Sequence, residues 1–250
     1  MTTWVLLRGM MRDTRHWGDF PLQFQRALNA QHVVSLDFLG NGTLHAHKSA
    51  TSVAEMAIYC HTLLKQQGYT PPYSLLALSL GGMVAVAWSE MYPAELERMV
   101  LINTSMAPYN PFYHRLRPNN YPALFRFLLF GTAVQRESLI LKLTSTLKNR
   151  SKDRQAILDR WTDYARQCPV SRANILRQLH AAAGYRVTSS GPSVPVLLLA
   201  SQQDRLVDVK SSLTLAQRWQ CPILLHPSAG HDLPLDDGDW VIQQVREWEG

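Results

Sequence analysis

Read for its apolar and polar positions, the chain divides into short, nearly unbroken apolar runs and longer stretches with helical spacing. The runs lie at Trp4–Leu7, Val33–Phe38, Tyr73–Leu78, Met99–Asn103, Val194–Ala200 and Pro222–Leu225. None alternates as a strand with one wet face would, so each predicts a strand covered on both sides in a parallel sheet. Helical spacing fills Trp17–Asn29, Ser52–Gln67 and Gly81–Met91, the last stopped by Pro93. Strand and helix therefore alternate, which predicts βαβ units and a mostly parallel, doubly wound α/β sheet with right-handed crossovers.

The alternation breaks after Met106. Over about 80 residues the pattern is helical, in "YPALFRFLLF", "ESLILKLTSTLKN", "RQAILDRWTDYARQC" and "SRANILRQLHAAAG", and then strands return. The organisation expected is an α/β core built from residues 1–106 and 191–250, with residues 107–190 inserted as a helical cap. An insertion at that point lies over the carboxyl ends of the strands, where sheets of this type bind ligands. On the inward face of such a cap the candidates are Leu124, Phe127, Leu128, Phe130, Ile140, Leu143, Ile157, Trp161 and Leu176, of which Leu124, Phe127 and Trp161 are the candidate substrate contacts.

Composition narrows the classes. A chain of 250 residues with 46% hydrophobic residues can bury a substantial core. The first residues enter an apolar run without the basic region and cleavage site of a secretory signal, and no apolar stretch approaches the roughly 20 residues of a membrane span. A soluble cytoplasmic protein is the expectation. Cys60, Cys168 and Cys221 are few, odd in number and widely spaced, which suggests neither a disulfide framework nor a cysteine zinc site.

The stretch "LALSLGGMVA" places Ser79 where a strand runs straight into a helix, with Ala77 two positions before it and Gly81 two positions after. A sharp strand-to-helix turn strains its central residue and crowds both flanks, so small residues there point to an exposed nucleophilic serine. The alternative is a serine that caps the helix. A serine nucleophile needs an imidazole to take its proton and a carboxylate to orient that imidazole. Among nine histidines, His231 lies in "SAGHDLPL", a loop just past the last strand and thus on the same sheet edge as Ser79, whereas His226 sits one residue past that strand and reads as structural. Asp204 follows "VLLLASQQ" directly, while Asp208, four residues on, reads as the start or cap of the next helix.

The resulting order, Ser79, Asp204, His231, resembles the α/β-hydrolase superfamily, whose nucleophile, acid and histidine follow one another in that sequence. The resemblance extends from "VLLRGMMRDTRHW" through "VVSLDFLGNG" and "ALSLGGM" to "SQQDRLV" and "AGHDLPLDD". Within the superfamily the chain is most similar to small bacterial carboxylesterases and acyl-ester hydrolases with a helical cap, including the pimeloyl-carrier-protein methyl ester esterase group. The resemblance implies an oxyanion hole made by the backbone amides of Met10 and Leu80, and no metal or organic cofactor. Where the family commonly shows His-Gly, this chain has Arg8-Gly9; Arg8 either binds an anionic group of the substrate or makes structural bonds to its loop. A serine at the elbow argues against the branches that use a carboxylate nucleophile, but it does not separate esterase, thioesterase, C–C hydrolase and perhydrolase chemistry.

Charge bears on partners. The formal charge of +6 divides unevenly: residues 107–190 hold 14 Lys and Arg against 4 Asp and Glu, a balance of +10, leaving 11 against 15, or −4, elsewhere. A basic cap beside an active site would attract an acyl ester or thioester carried on an acidic carrier protein or on coenzyme A; the same residues also serve as the wet faces of amphipathic helices. No nucleic-acid-binding motif accompanies the basic charge. The sequence thus supports a serine hydrolase of a small-molecule ester or thioester, with a non-catalytic ligand- or protein-binding member of the same fold as the alternative.

Overall fold

The computed structural model describes residues 3–147, 151–188 and 190–250, apart from the side chains of residues 128, 129, 151 and 152. Six strands, β1 (Thr3–Leu7), β2 (His32–Leu36), β3 (Tyr73–Leu78), β4 (Leu96–Ile102), β5 (Val196–Ser201) and β6 (Ile223–His226), form one parallel sheet in the order β2-β1-β3-β4-β5-β6. Between them run α1 (Phe20–Leu28), α2 (Val53–Gln66) and α3 (Leu80–Met91), and after β5 come α9 (Lys210–Trp219), α10 (Leu233–Asp236) and α11 (Gly238–Glu249). Between β4 and β5 lie α4 (Phe112–Arg115), α5 (Tyr121–Leu129), α6 (Ala133–Thr144), α7 (Ser151–Gln167) and α8 (Arg172–Gly184). Among the described residues no helix is long and apolar enough to cross a membrane.

The unbroken apolar runs have a simple cause: both faces of the sheet are covered. Val5, Leu7, Leu75, Ala77, Met99, Leu101 and Leu198 face a layer containing α2 and α3 residues such as Leu64, Val84 and Trp88. The residues between them, Trp4, Leu6, Leu76, Leu78, Val100, Ile102, Leu197 and Leu199, face Phe20 and Phe24 of α1 and Val241 and Val245 of α11. Since successive side chains point to opposite sides of a strand, a strand wet on neither side has no polar position to show. The helix α11 is not among the elements read from the pattern, although its apolar residues close one face of the sheet.

Both ends of one helix differ from those expected. The helix expected over "ESLILKLTSTLKN" begins earlier, at Ala133, because Thr132 accepts from the Gln135 amide while the Gln135 side chain accepts from the Thr132 amide, a reciprocal cap. It also ends earlier, at Thr144, because Ser145 and Thr146 turn to bond Asp236 at the end of α10; residues 148–149 of that run lie outside the described residues. Of the candidate inward positions, Phe130 and Leu176 instead face solvent, at 66% and 55% exposure, and the side chain of Leu128 lies outside those described.

The order of strands reverses direction between β1 and β3, and the crevice opened by such a reversal lies at the carboxyl edge. There Gly81 lets α3 start hard against the end of β1: a Cβ at Gly81 would lie 2.5 Å from the Leu7 carbonyl oxygen and 2.8 Å from that of Arg8. Backbone on the far side leaves a methyl group no room. Gly81→Ala is expected to lower stability by about 1–3 kcal/mol in urea unfolding; an unchanged midpoint would contradict the close approach.

Candidate active site

The parallel register ends β1, β3 and β4 together, at Leu7, Leu78 and Ile102, so the residues that follow them share one rim. Ser79 is the first residue past β3. Its backbone sits at φ 57° and ψ −116°, a left-handed conformation rare for a residue with a side chain, and its hydroxyl makes no capping bond to α3. The capping alternative is thereby removed. Three hydrogen bonds hold the turn: the Ser79 amide donates to Ile102 O at 2.9 Å, and Ser79 O accepts from the Gly82 amide at 2.9 Å and from Thr104 Oγ1 at 2.8 Å.

The loop after β1 lies against this turn. A Cβ built on Gly9 would stand 3.4 Å from Ser79 Cβ and 3.8 Å from its Oγ, so Gly9 lies close beside the Ser79 side chain. Leu80, as the first residue of α3, has an amide with no acceptor inside the helix.

His231 lies in the loop after β6 and is buried, with Nδ1 2.7 Å from Asp204 Oδ2. Asp204 is itself held: its Oδ1 accepts from the amides of Leu206 at 2.8 Å and Val207 at 3.0 Å. With Nδ1 facing the carboxylate, the neutral ring carries its proton on Nδ1 and offers Nε2 as the acceptor. Burial by itself depresses the proton affinity of His231, but the Asp204 charge and hydrogen bond, with a further contribution from Asp232, overcome it and raise the pKa above the ordinary imidazole value.

Ser79, Leu80, Met10 and His231 all line a cavity of about 360 Å³ under the helices that follow β4. Its walls are largely apolar, with Met83, Leu116, Leu124, Phe127, Ile140, Leu143 and Val207 among them. Leu124 and Phe127, candidate substrate contacts, are thus at the cavity. Trp161 is not: it packs with Leu141 and Ile157 inside the helical layer, beneath the Arg12 guanidinium at 4.3 Å, because its neighbours on α7 turn that face toward α6 rather than toward the sheet. Arg8 borders the cavity, but both terminal nitrogens are taken by Asp232, at 3.1 and 2.6 Å. Asp208 stands apart from His231, accepting from the Lys210 amide at 3.0 Å, and His226 pairs with Asp237 at 3.1 Å.

The sequence profile of the alpha/beta hydrolase family matches residues 4–244. The chain belongs to that family. A search of the curated proteins returns no match. Among solved structures, the hydrolase chain superposes on an esterase from Thermogutta terrifontis with bound malate (TM-score 0.77, 19% identity, covering 99% of this chain and 89% of the other). It superposes equally on an enol-lactonase from Burkholderia xenovorans (0.79, 17%, 98% and 90%). A 2-hydroxy-6-oxo-6-phenylhexa-2,4-dienoate hydrolase from a Rhodococcus strain matches with a TM-score of 0.80 at 18% identity, over 98% of this chain and 89% of that one. Identities this low speak for the fold.

Three further residues build the site of this family member without standing out in the sequence. Asn103, with φ 46°, donates from Nδ2 to His231 O at 2.8 Å and accepts from the Ser201 amide at 2.8 Å, so one side chain ties the ends of β4 and β5 to the histidine loop. Asp236 accepts from the Gly230 amide at 2.6 Å and from Thr146 at 2.9 Å, joining that loop to the end of α6. Asp232 is the third. Tolerance of Asn for left-handed backbone and the position of Asp232 next to His231 were the available signals.

Because the Asp204 charge favours the protonated ring, Asp204→Asn should move the His231 titration to lower pH. NMR titration of the imidazole in the two proteins tests this; equal midpoints would remove Asp204 as its electrostatic partner.

Proposed function

We propose that this chain is a serine hydrolase that cleaves a carboxylic ester or thioester through a covalent acyl-enzyme. The observation that carries the reading is a buried imidazole, fixed by a carboxylate at 2.7 Å, beside the same cavity as a serine whose strained turn leaves its hydroxyl free of the helix. In the forward half-reaction Ser79 Oγ attacks the carbonyl carbon while His231 Nε2 takes its proton. The amides of Met10 and Leu80 receive the negative oxygen that forms, and His231 returns the proton to the departing alcohol or thiol. Water then enters, gives a proton to His231 and attacks the acyl carbon; His231 passes that proton to the departing Ser79 Oγ as the acid is released. Asp204 keeps the ring in the productive tautomer and stabilises the imidazolium; it stays ionised throughout.

Residues 107–190 act as a cap in this scheme. The apolar walls contributed by Leu124, Phe127, Ile140 and Leu143 support an acyl group of hydrocarbon character, and removal of water beneath the cap strengthens each electrostatic contact with the developing charge. A basic cap also favours an acyl donor with an acidic carrier, whether a protein or coenzyme A.

Ser79→Ala is expected to lower kcat on a short p-nitrophenyl ester by roughly 10⁴- to 10⁶-fold while the protein stays folded. A fluorophosphonate should label the parent stoichiometrically at Ser79. Near-normal turnover by the variant would remove Ser79 as the nucleophile, whereas an unlabelled parent would favour a binding protein on the same scaffold. Esters and thioesters of graded chain length then rank the acyl groups.

A further inference from the structure

The pairing of Arg8 with Asp232 is unexplained by the reaction itself. Arg8 Nη1 donates to Asp232 Oδ1 at 3.1 Å and Arg8 Nη2 to Oδ2 at 2.6 Å, with side-chain exposures of only 2% and 4%. The guanidinium also lies over the Trp17 ring at 4.6 Å, and Trp17 in turn stacks on Phe20 of α1. On the other side, the Asp232 amide donates to Thr144 O at 2.7 Å, at the end of α6. A two-pronged guanidinium–carboxylate contact fixes angle as well as distance, which a lysine could not do.

What matters is where the two partners sit in the chain. Arg8 is two residues before Met10, which lines the cavity, and Asp232 directly follows His231. We propose that the Arg8–Asp232 pair is a positioning device: it staples the loop bearing the Met10 amide to the loop bearing His231, so that the oxyanion donor and the general base keep one mutual geometry. The consequence for rate rests on the acyl-enzyme reading; the positioning and its electrostatics do not. With both terminal nitrogens bonded to Asp232, the Arg8 charge is matched within the protein, and the departure from His-Gly at this position acquires a purpose.

The charges around His231 make the device measurable. Asp204 faces the ring from the loop after β5 and Asp232 from its own loop; Arg8 and Arg12 come from the loop after β1, Asp236 stands at the end of α10, and Arg115 of α4 borders the cavity. Asp232 draws a proton onto the ring and Arg8 repels it. Bound together they offset one another, so His231 answers chiefly to Asp204. Removed singly, they must act on that titration in opposite directions, since both charges reach the ring.

Titration of the His231 ring by NMR in the Ser79→Ala protein reads this without turnover. Arg8→Gln should raise its midpoint, Asp232→Asn should lower it, and the double variant Arg8→Met/Asp232→Leu should return it toward the parent value. In the protein with Ser79 intact, the double variant should lose on the order of 100-fold in kcat with KM little changed, because the loops lose their register, and fluorophosphonate labelling should slow in parallel. Single variants leave an uncompensated buried charge and are the ones at risk of not folding, whereas the double variant leaves none; if only it folds, its kcat and labelling rate decide. Midpoints that shift together or not at all, or a folded double variant with parental kcat, would overturn the staple. Retained turnover in Ser79→Ala alone would instead overturn the acyl-enzyme reading and leave the titration to judge the pair.

Discussion

The left-handed backbone at Ser79 governs the rest of the site. A side-chain-bearing residue in such a conformation costs about 1–3 kcal/mol, and it persists here because the surroundings over-determine it. Ile102 O, the Gly82 amide and Thr104 Oγ1 take both backbone polar groups of the turn, while Gly81 allows α3 to press on the end of β1. Relaxing the turn would break these bonds and separate the helix from the sheet. The strain therefore belongs to the core as much as to the site.

Convergence at the rim follows from parallel strands that end in register. β1, β3, β5 and β6 deliver Gly9, Ser79, Asp204 and His231 to the same edge, each from the first residues of a loop. Loops so placed are free to wander unless tied, and buried polar side chains tie them: Asn103 reaches from β4 to His231 O, Asp204 gathers the amides of Leu206 and Val207, and Asp236 links Gly230 to the end of α6. Each bond satisfies a group that burial would otherwise leave costly.

Several charged residues of the helical segment are tied to the core or to neighbouring helices. Glu137 pairs with Arg12 of the loop after β1, Arg117 approaches Asp208 at 3.6 Å, and Arg115 donates to the carbonyls of Ala182 and Ala183. These contacts fasten the helices to the core and to one another. The remaining basic residues supply whatever steering field reaches an acidic partner, and that field is screened within about 10 Å at ordinary salt.

Strand positions, the strand-to-helix turn at Ser79 and the helical run after β4 were legible in the sequence because each is a local consequence of spacing: double-faced burial removes polar positions, small residues flank a tight turn, and amphipathic repeats mark helices. Asp204 and His231 were legible by one further step, since a residue just past a parallel strand must stand on the carboxyl edge. The environment of Arg8 was not, because its partner lies 224 positions away and only folding decides whether a charged side chain meets a ligand, water or a carboxylate. Trp161 failed for the same reason: helical spacing tells which residues share a face, but the packing of α6 on α7 decides which way that face turns.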